Sequence, residues 1–118
     1  MVESYQDLIV WNRSMDAVEV VYELANGFPE HERYGLWSQI TRAAVSIPAN
    51  IAEGSRRGGR REYAHFVSIA RGSLGEVETF LLIAVRLVYV KDDQTTSVMA
   101  ELTEISKMLS ALRGSLLC

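Results

Sequence analysis

Cysteine is almost missing from this chain: Cys118, its last residue, is the only one. An internal disulfide and a Cys-based zinc site are therefore excluded, and a reducing compartment is allowed. Proline occurs twice, at Pro29 and Pro48, and histidine twice, at His31 and His65. No apolar run reaches the ~20 residues that a membrane span needs, because Arg86 and Lys91 interrupt the longest ones. The opening residues Met1-Val2-Glu3-Ser4 lack a basic patch followed by an apolar run, so no secretory leader is expected. Gly-x-Gly-x-x-Gly, Gly-Lys-Ser/Thr and Gly-x-Ser-x-Gly are all absent, which removes the phosphate-loop and serine-elbow chemistries. Secreted, membrane-spanning and disulfide-scaffold classes drop out, and a cytoplasmic location is expected.

What remains is an ordinary globular composition. The chain has 118 residues, 48% hydrophobic and 23% charged, which fits a single domain over residues 1–118. A chain of this size can build a core without structural metal. Its formal net charge is −3, from 12 basic and 15 acidic side chains. That total hides a polarity. Residues 39–71 hold six arginines (Arg42, Arg56, Arg57, Arg60, Arg61, Arg71) against Glu53 and Glu62, a net of +4; the remainder carries −7. Ten of the twelve basic residues are Arg, the side chain suited to bidentate oxyanion contacts. A partner feels this local field rather than the total.

Four stretches carry helical periodicity and none carries strand alternation. The first runs from Gln6 to Asn26 with Leu8, Trp11, Met15, Val18, Tyr22 and Ala25 on one face, opened by Ser4 with Asp7 and closed by Gly27 and Pro29. The second, Tyr34 to Ser55, aligns Leu36, Ile40, Ala44, Ile47 and Ile51, and Pro48 inside it predicts a kink or a restart. The third, Arg60 to Val90, aligns Tyr63, Phe66, Ala70, Leu74, Val77, Leu81, Ala84 and Val88. A second stripe of Val67, Phe80, Ile83 and Leu87 lies beside it, more apolar breadth than one seam requires. The fourth, Gln94 to Leu116, aligns Val98, Leu102, Ile105, Leu109, Leu112 and Leu116, with Asp92, Asp93, Thr95 and Thr96 as turn and N-cap residues. Short connections between long helices make neighbours antiparallel. The expected fold is all-α, an up-down-up-down four-helix bundle whose second helix is kinked at Pro48.

Catalytic and metal chemistry find little support in the residues. Glu62 and His65 form one Glu-x-x-His, whereas di-iron bundles need two such motifs and two further Glu. Glu76 and Glu78 are two apart and diverge on a helix. No enzyme, metal or cofactor is expected; a metal-dependent enzyme built on Glu62 and His65 is the remote alternative. The distinctive segment is Gly54-Ser55-Arg56-Arg57-Gly58-Gly59-Arg60-Arg61. Arg56 and Arg57 complement the C-terminal end of a helix, while Arg60 and Arg61 stand at the start of the next, where a cation costs about 0.3–1 kcal/mol at low salt. Such a cluster suits phosphate or nucleic-acid backbone. No stacking platform accompanies these arginines, so binding of this kind is electrostatic and sequence-tolerant.

The run from Phe28-Pro29-Glu30-His31-Glu32-Arg33-Tyr34-Gly35 through Ser46-Ile47-Pro48-Ala49-Asn50-Ile51-Ala52-Glu53-Gly54 resembles the signature of the 23S rRNA intervening-sequence (four helix bundle) proteins. Phe66-Val67-Ser68-Ile69-Ala70-Arg71-Gly72-Ser73-Leu74 and Glu76-Val77-Glu78-Thr79 resemble that family's third helix, and the likeness extends from Tyr5 to about Leu112. The family is related to the accessory protein of diversity-generating retroelements, a ring-shaped homopentamer that binds nucleic acid and partners a reverse transcriptase. The resemblance implies a non-enzymatic bacterial four-helix bundle that self-associates as a pentamer, with Arg42, Arg56, Arg57, Arg60 and Arg61 as the positions that could meet RNA or DNA. It also implies packing roles for Pro48, Asn50 and Gly72, the last allowing close helix approach. A protein–protein adaptor without nucleic-acid binding is the alternative.

Overall fold

The structure is a computed structural model that describes residues 4–118. Four helices dominate it: α1 (Ile9–Ala25), α2 (Leu36–Arg57), α3 (Arg60–Arg86) and α4 (Asp92–Leu117). Two 3₁₀ turns, Tyr5–Asp7 and Glu30–Glu32, precede α1 and α2, and no strand occurs among the described residues. Each helix packs on its chain neighbours and α1 closes on α4, while the diagonal pairs bring no Cα atoms within 8 Å. Arg60 at the start of α3 reaches Leu116 at the end of α4. Tyr89 after α3 reaches Glu32 before α2. These two contacts fix the antiparallel sense of α2, α3 and α4, and the short link from α1 to α2 completes the expected up-down-up-down bundle.

The centre holds Val21, Ile40, Ile47, Ile51, Val67, Leu74, Val77, Leu81, Leu102, Ile105 and Leu109, all essentially inaccessible to solvent. Burying each such side chain stabilises by about 1.5–3 kcal/mol. The α4 stripe is as expected, with Leu112 and Leu116 half-buried at its end. In α1 the face is rotated from the expected one. Val10, Ser14, Ala17, Val21 and Ala25 are buried, Trp11, Val18 and Tyr22 flank them half-buried, and Met15 is 41% exposed. Small side chains line the closest approach, and the bulky ones are displaced to its edges. Ser14 tolerates burial because its hydroxyl donates to the Val10 carbonyl at 2.7 Å. The helix also starts three residues later than expected: Ser4 Oγ caps the 3₁₀ turn by accepting from the Gln6 N–H, and Leu8 is extended.

Helix α2 runs through Pro48 without a restart and ends two residues beyond the expected Ser55. Its stop is Gly58, at φ 91°, a left-handed position that favours glycine. Gly54 lies inside the helix and is buried there. A Cβ at residue 54 would meet Phe66 Cβ at 2.8 Å and Tyr63 Cδ1 at 2.9 Å, so this glycine sets how closely α2 and α3 approach. Gly72 was expected to do that work and does not: nothing lies within 4 Å of its hypothetical Cβ. Asn50 makes the expected polar contact, donating to the Ser46 carbonyl (2.8 Å) and Ser46 Oγ (2.7 Å), and Ser73 donates to Ser46 Oγ across the helix pair (2.8 Å).

Helix α3 ends at Arg86 rather than at Val90. The Tyr89 N–H bonds to the Ala84 carbonyl and the Val88 N–H to the Val85 carbonyl, the Schellman pattern, with Val88 in its left-handed position at φ 61°. Glycine usually marks that position, and its absence here hid the stop. Helix α4 begins at Asp92, so Asp92 and Asp93 fill its first turn, where carboxylates complement the dipole; Gln94 Oε1 accepts from the Lys91 N–H at 2.8 Å.

Two polar ties close the bundle. Arg13 meets Glu101 from α1 to α4 with a two-pronged contact of 2.5 and 2.7 Å, which holds the Glu101 carboxyl below the usual range. At the loop end Glu32 accepts from the Leu36 N–H (3.0 Å) and from the Tyr89 hydroxyl (2.8 Å). The Leu36 and Tyr89 bonds lower the Glu32 pKa, and the Glu32 bond raises that of Tyr89.

Val88 is 82% exposed, so its side chain contributes almost no packing while its β-branched backbone is strained. Val88→Gly is expected to stabilise the fold by about 1 kcal/mol, the relief of strain exceeding the added unfolded-chain entropy. In thermal melts that is a rise of about 4 °C. An unchanged or lower midpoint would show that the Val88 conformation carries no strain.

Candidate nucleic-acid interface

The five arginines singled out by the sequence do not form one cluster. Arg57, at the last turn of α2, donates to Glu53 Oε2 at 3.0 Å, lies 3.8 Å from Glu62 Oε2, and covers the Phe66 ring at 5.1 Å. The Glu53 hydrogen bond raises its pKa further. Arg60 is committed as well. Its Nη2 donates to the Ser115 carbonyl at 2.6 Å and its Nε to the Leu116 carbonyl at 3.3 Å. These are carbonyls that the last turn of a helix leaves without partners. The apparently misplaced cation at the start of α3 is therefore the C-terminal cap of α4.

Arg56 and Arg61 are exposed and make no ion pair or hydrogen bond with any described residue. They flank the Gly58–Gly59 link. Arg42 is also exposed and unpaired, but fourteen residues before Arg56 on the same helix, a distance of about 21 Å. It lines a groove between α2 and α3 with a volume of about 270 Å³, together with Gln39, Ser46, Ser73, Glu76 and Phe80. In the sequence Phe80 falls within an apolar stripe and Glu76 has no chemical partner. The signal was present: Gln39, Arg42 and Ser46 are spaced 3 and 4 along α2, and Ser73, Glu76 and Phe80 are spaced 3 and 4 along α3, each line flanking a buried stripe.

Glu62 and His65 do not face a common centre with other ligands. Glu62 leans on Arg57, and the His65 ring stands edge-on to Phe66 at 5.7 Å. Among the described residues no three His, Cys, Asp or Glu side chains are grouped so as to hold a metal ion. Cys118 is exposed and unpaired in a disulfide. No helix of the described residues is long and apolar enough to cross a membrane.

The different commitments of neighbouring arginines are separable by substitution. Arg60→Ala is expected to lower the melting temperature and to speed amide exchange in the last turn of α4, because two carbonyls lose their donor. Arg56→Ala and Arg61→Ala are expected to change stability by no more than about 0.5 kcal/mol. Equal exchange at the α4 terminus in all three variants would contradict the capping role.

The comparisons agree with this architecture. A protein of unknown function from the S23 ribosomal protein family of Bacteroides thetaiotaomicron VPI-5482 superposes with a TM-score of 0.78 at 29% identity, over 89% of this chain and 98% of that one. No curated protein matches. The sequence profile of the 23S rRNA-intervening sequence proteins matches residues 6–111. That match covers α1, α2, α3, the three links and most of α4, and the chain belongs to this family.

Proposed function

We propose that this protein is a non-enzymatic, self-associating component of the bacterial cytoplasm that contacts the phosphate backbone of nucleic acid. The observation that carries the reading is the division of the arginines. Arg57 and Arg60 are spent on the fold, whereas Arg42, Arg56 and Arg61 stay unpaired on the outside of the α2–α3 hairpin. Free guanidiniums are the groups that displace counterions from a polyanion. The overall charge of −3 keeps the contact local.

Two phosphate contacts per copy, from Arg56 and Arg61, give a binding constant that falls roughly 7- to 12-fold between 50 and 200 mM salt. Filter binding of a structured RNA should show that slope. Replacing Arg56 or Arg61 by Ala should reduce the slope by about one unit each without changing the fold. Affinity that is absent at 50 mM salt, or indifferent to all three arginines, overturns the nucleic-acid reading.

Self-association is supported by Leu82, Ile83 and Leu87, which expose an apolar surface at the C-terminal end of α3, half or more of Leu82 and Leu87. The family resemblance implies five copies. Native light scattering is expected to return a multiple of 13.2 kDa, about 66 kDa for a pentamer, and Leu82→Asp with Leu87→Asp to lower it. A wild-type mass of one copy at micromolar concentration overturns self-association. The same apolar surface favours a second reading, a protein–protein adaptor, which retains its partner when Arg42, Arg56 and Arg61 are neutralised.

A further inference from the structure

The groove between α2 and α3 contains an arrangement that the backbone contacts leave unused. Elsewhere in the bundle an Arg and a Glu on facing elements close on one another, as Arg13 and Glu101 do. Arg42 and Glu76 line the same groove, one on each helix, and form no ion pair with each other or with any other described residue. The half-buried ring of Phe80 forms part of the wall and Gln39 adds a free amide. The floor is the Ser46–Ser73 hydroxyl pair, locked by Asn50. The Ser73 hydroxyl donates to Ser46 Oγ, which also accepts from Asn50 Nδ2.

A bare phosphate does not suit this site, because Glu76 repels it. A simple cation does not suit it either, because of Arg42. The site calls for a planar ligand with paired acceptors on one edge, paired donors on the adjoining edge, and a face that can stack. Guanine has this set. Its O6 and N7 accept from a guanidinium fork, its N1–H and N2–H₂ donate to a carboxylate, and its ring can lie on an aromatic side chain. Adenine offers a single amino donor group beside N7, and uracil a single N–H, so neither uses both charges fully.

We propose that the α2–α3 groove is a guanine pocket, with Arg42 on O6 and N7, Glu76 on N1 and N2, and Phe80 against the ring. The pocket extends the nucleic-acid reading above, on which its occupation by an RNA base rests; a free guanine nucleotide presents the same chemistry. Its volume admits one base, unstacked from its neighbours, as in a single-stranded loop. Base preference then resides at Arg42 and Glu76, and the backbone contacts of Arg56 and Arg61 remain sequence-tolerant.

Calorimetric titration at low salt with GMP, IMP, AMP, CMP and UMP tests the pocket directly. Paired single-stranded oligoribonucleotides with and without one guanosine test its use on RNA. GMP is expected to bind about tenfold more tightly than AMP, the discrimination typical of a bidentate base contact. IMP, which lacks the 2-amino group, should fall between them. Glu76→Gln should abolish the difference between GMP and IMP, and Arg42→Gln should weaken both. Both side chains are exposed and unpaired, so the melting temperature should stay put, which a circular dichroism melt verifies.

GMP binding with no preference among the oligoribonucleotides identifies the ligand as the free nucleotide and leaves the pocket standing. GMP binding weaker than roughly 10 mM, or a guanine preference that survives both substitutions, overturns the pocket. If salt-sensitive RNA binding persists in that case, the backbone reading survives alone; if it is absent, both fall. A change in solution mass on Arg42→Gln or Glu76→Gln assigns the groove to contact between copies and also overturns the pocket.

Discussion

Helices α2 and α3 are joined by two glycines and meet over a position where a side chain has no room. The missing Cβ of Gly54 lets the backbone of α2 settle against Tyr63 and Phe66 of α3, and much of the exterior chemistry follows from that approach. It puts Arg57 over the Phe66 ring and within reach of Glu62. It aligns Ser46 with Ser73, about two turns further along, closely enough for a hydroxyl contact. A groove with a polar floor can persist there because the floor is hydrogen-bonded; no buried side-chain N or O among the described residues lacks a partner.

Arginine serves three purposes within six residues of sequence. Arg57 pairs with two glutamates and shields an aromatic face, Arg60 ends a helix remote in sequence, and Arg56 and Arg61 extend into solvent. The guanidinium suits all three uses because it is planar, always charged and rich in donors. Residue counting treats the four alike. The carbonyls of Ser115 and Leu116 distinguish one of them, and those are contributed from more than fifty positions away.

The helices and their order were legible in the sequence because a 3.6-residue period survives local irregularity. The fourth stripe, Val98 to Leu109, needed no correction. The first stripe misled because hydrophobic bulk was read as burial, when Ser14 and Ala17 mark the closer contact and Met15 faces outward. The end of α3 was hidden because Val88 adopts a left-handed conformation normally signalled by glycine. Gly72, which carries that signal in composition, sits in open space. The site was half legible. Arg42, Arg56 and Arg61 are free while Arg57 and Arg60 are not; which arginines are consumed depends on tertiary partners, and the groove's acidic and aromatic members come from a second helix.

The pattern of helix contacts bears on how the chain reaches this state. Three of the four helix–helix seams join chain neighbours across short links, so their loop-closure entropy is small. Only the α1–α4 seam unites distant parts of the chain, and the ion pair between Arg13 and Glu101 spans 88 residues. A topology dominated by local pairing has low contact order and belongs to the fast end of folding rates. The ordering cost of that distant closure is confined to one seam, so a break along it leaves the three seams between chain neighbours in place.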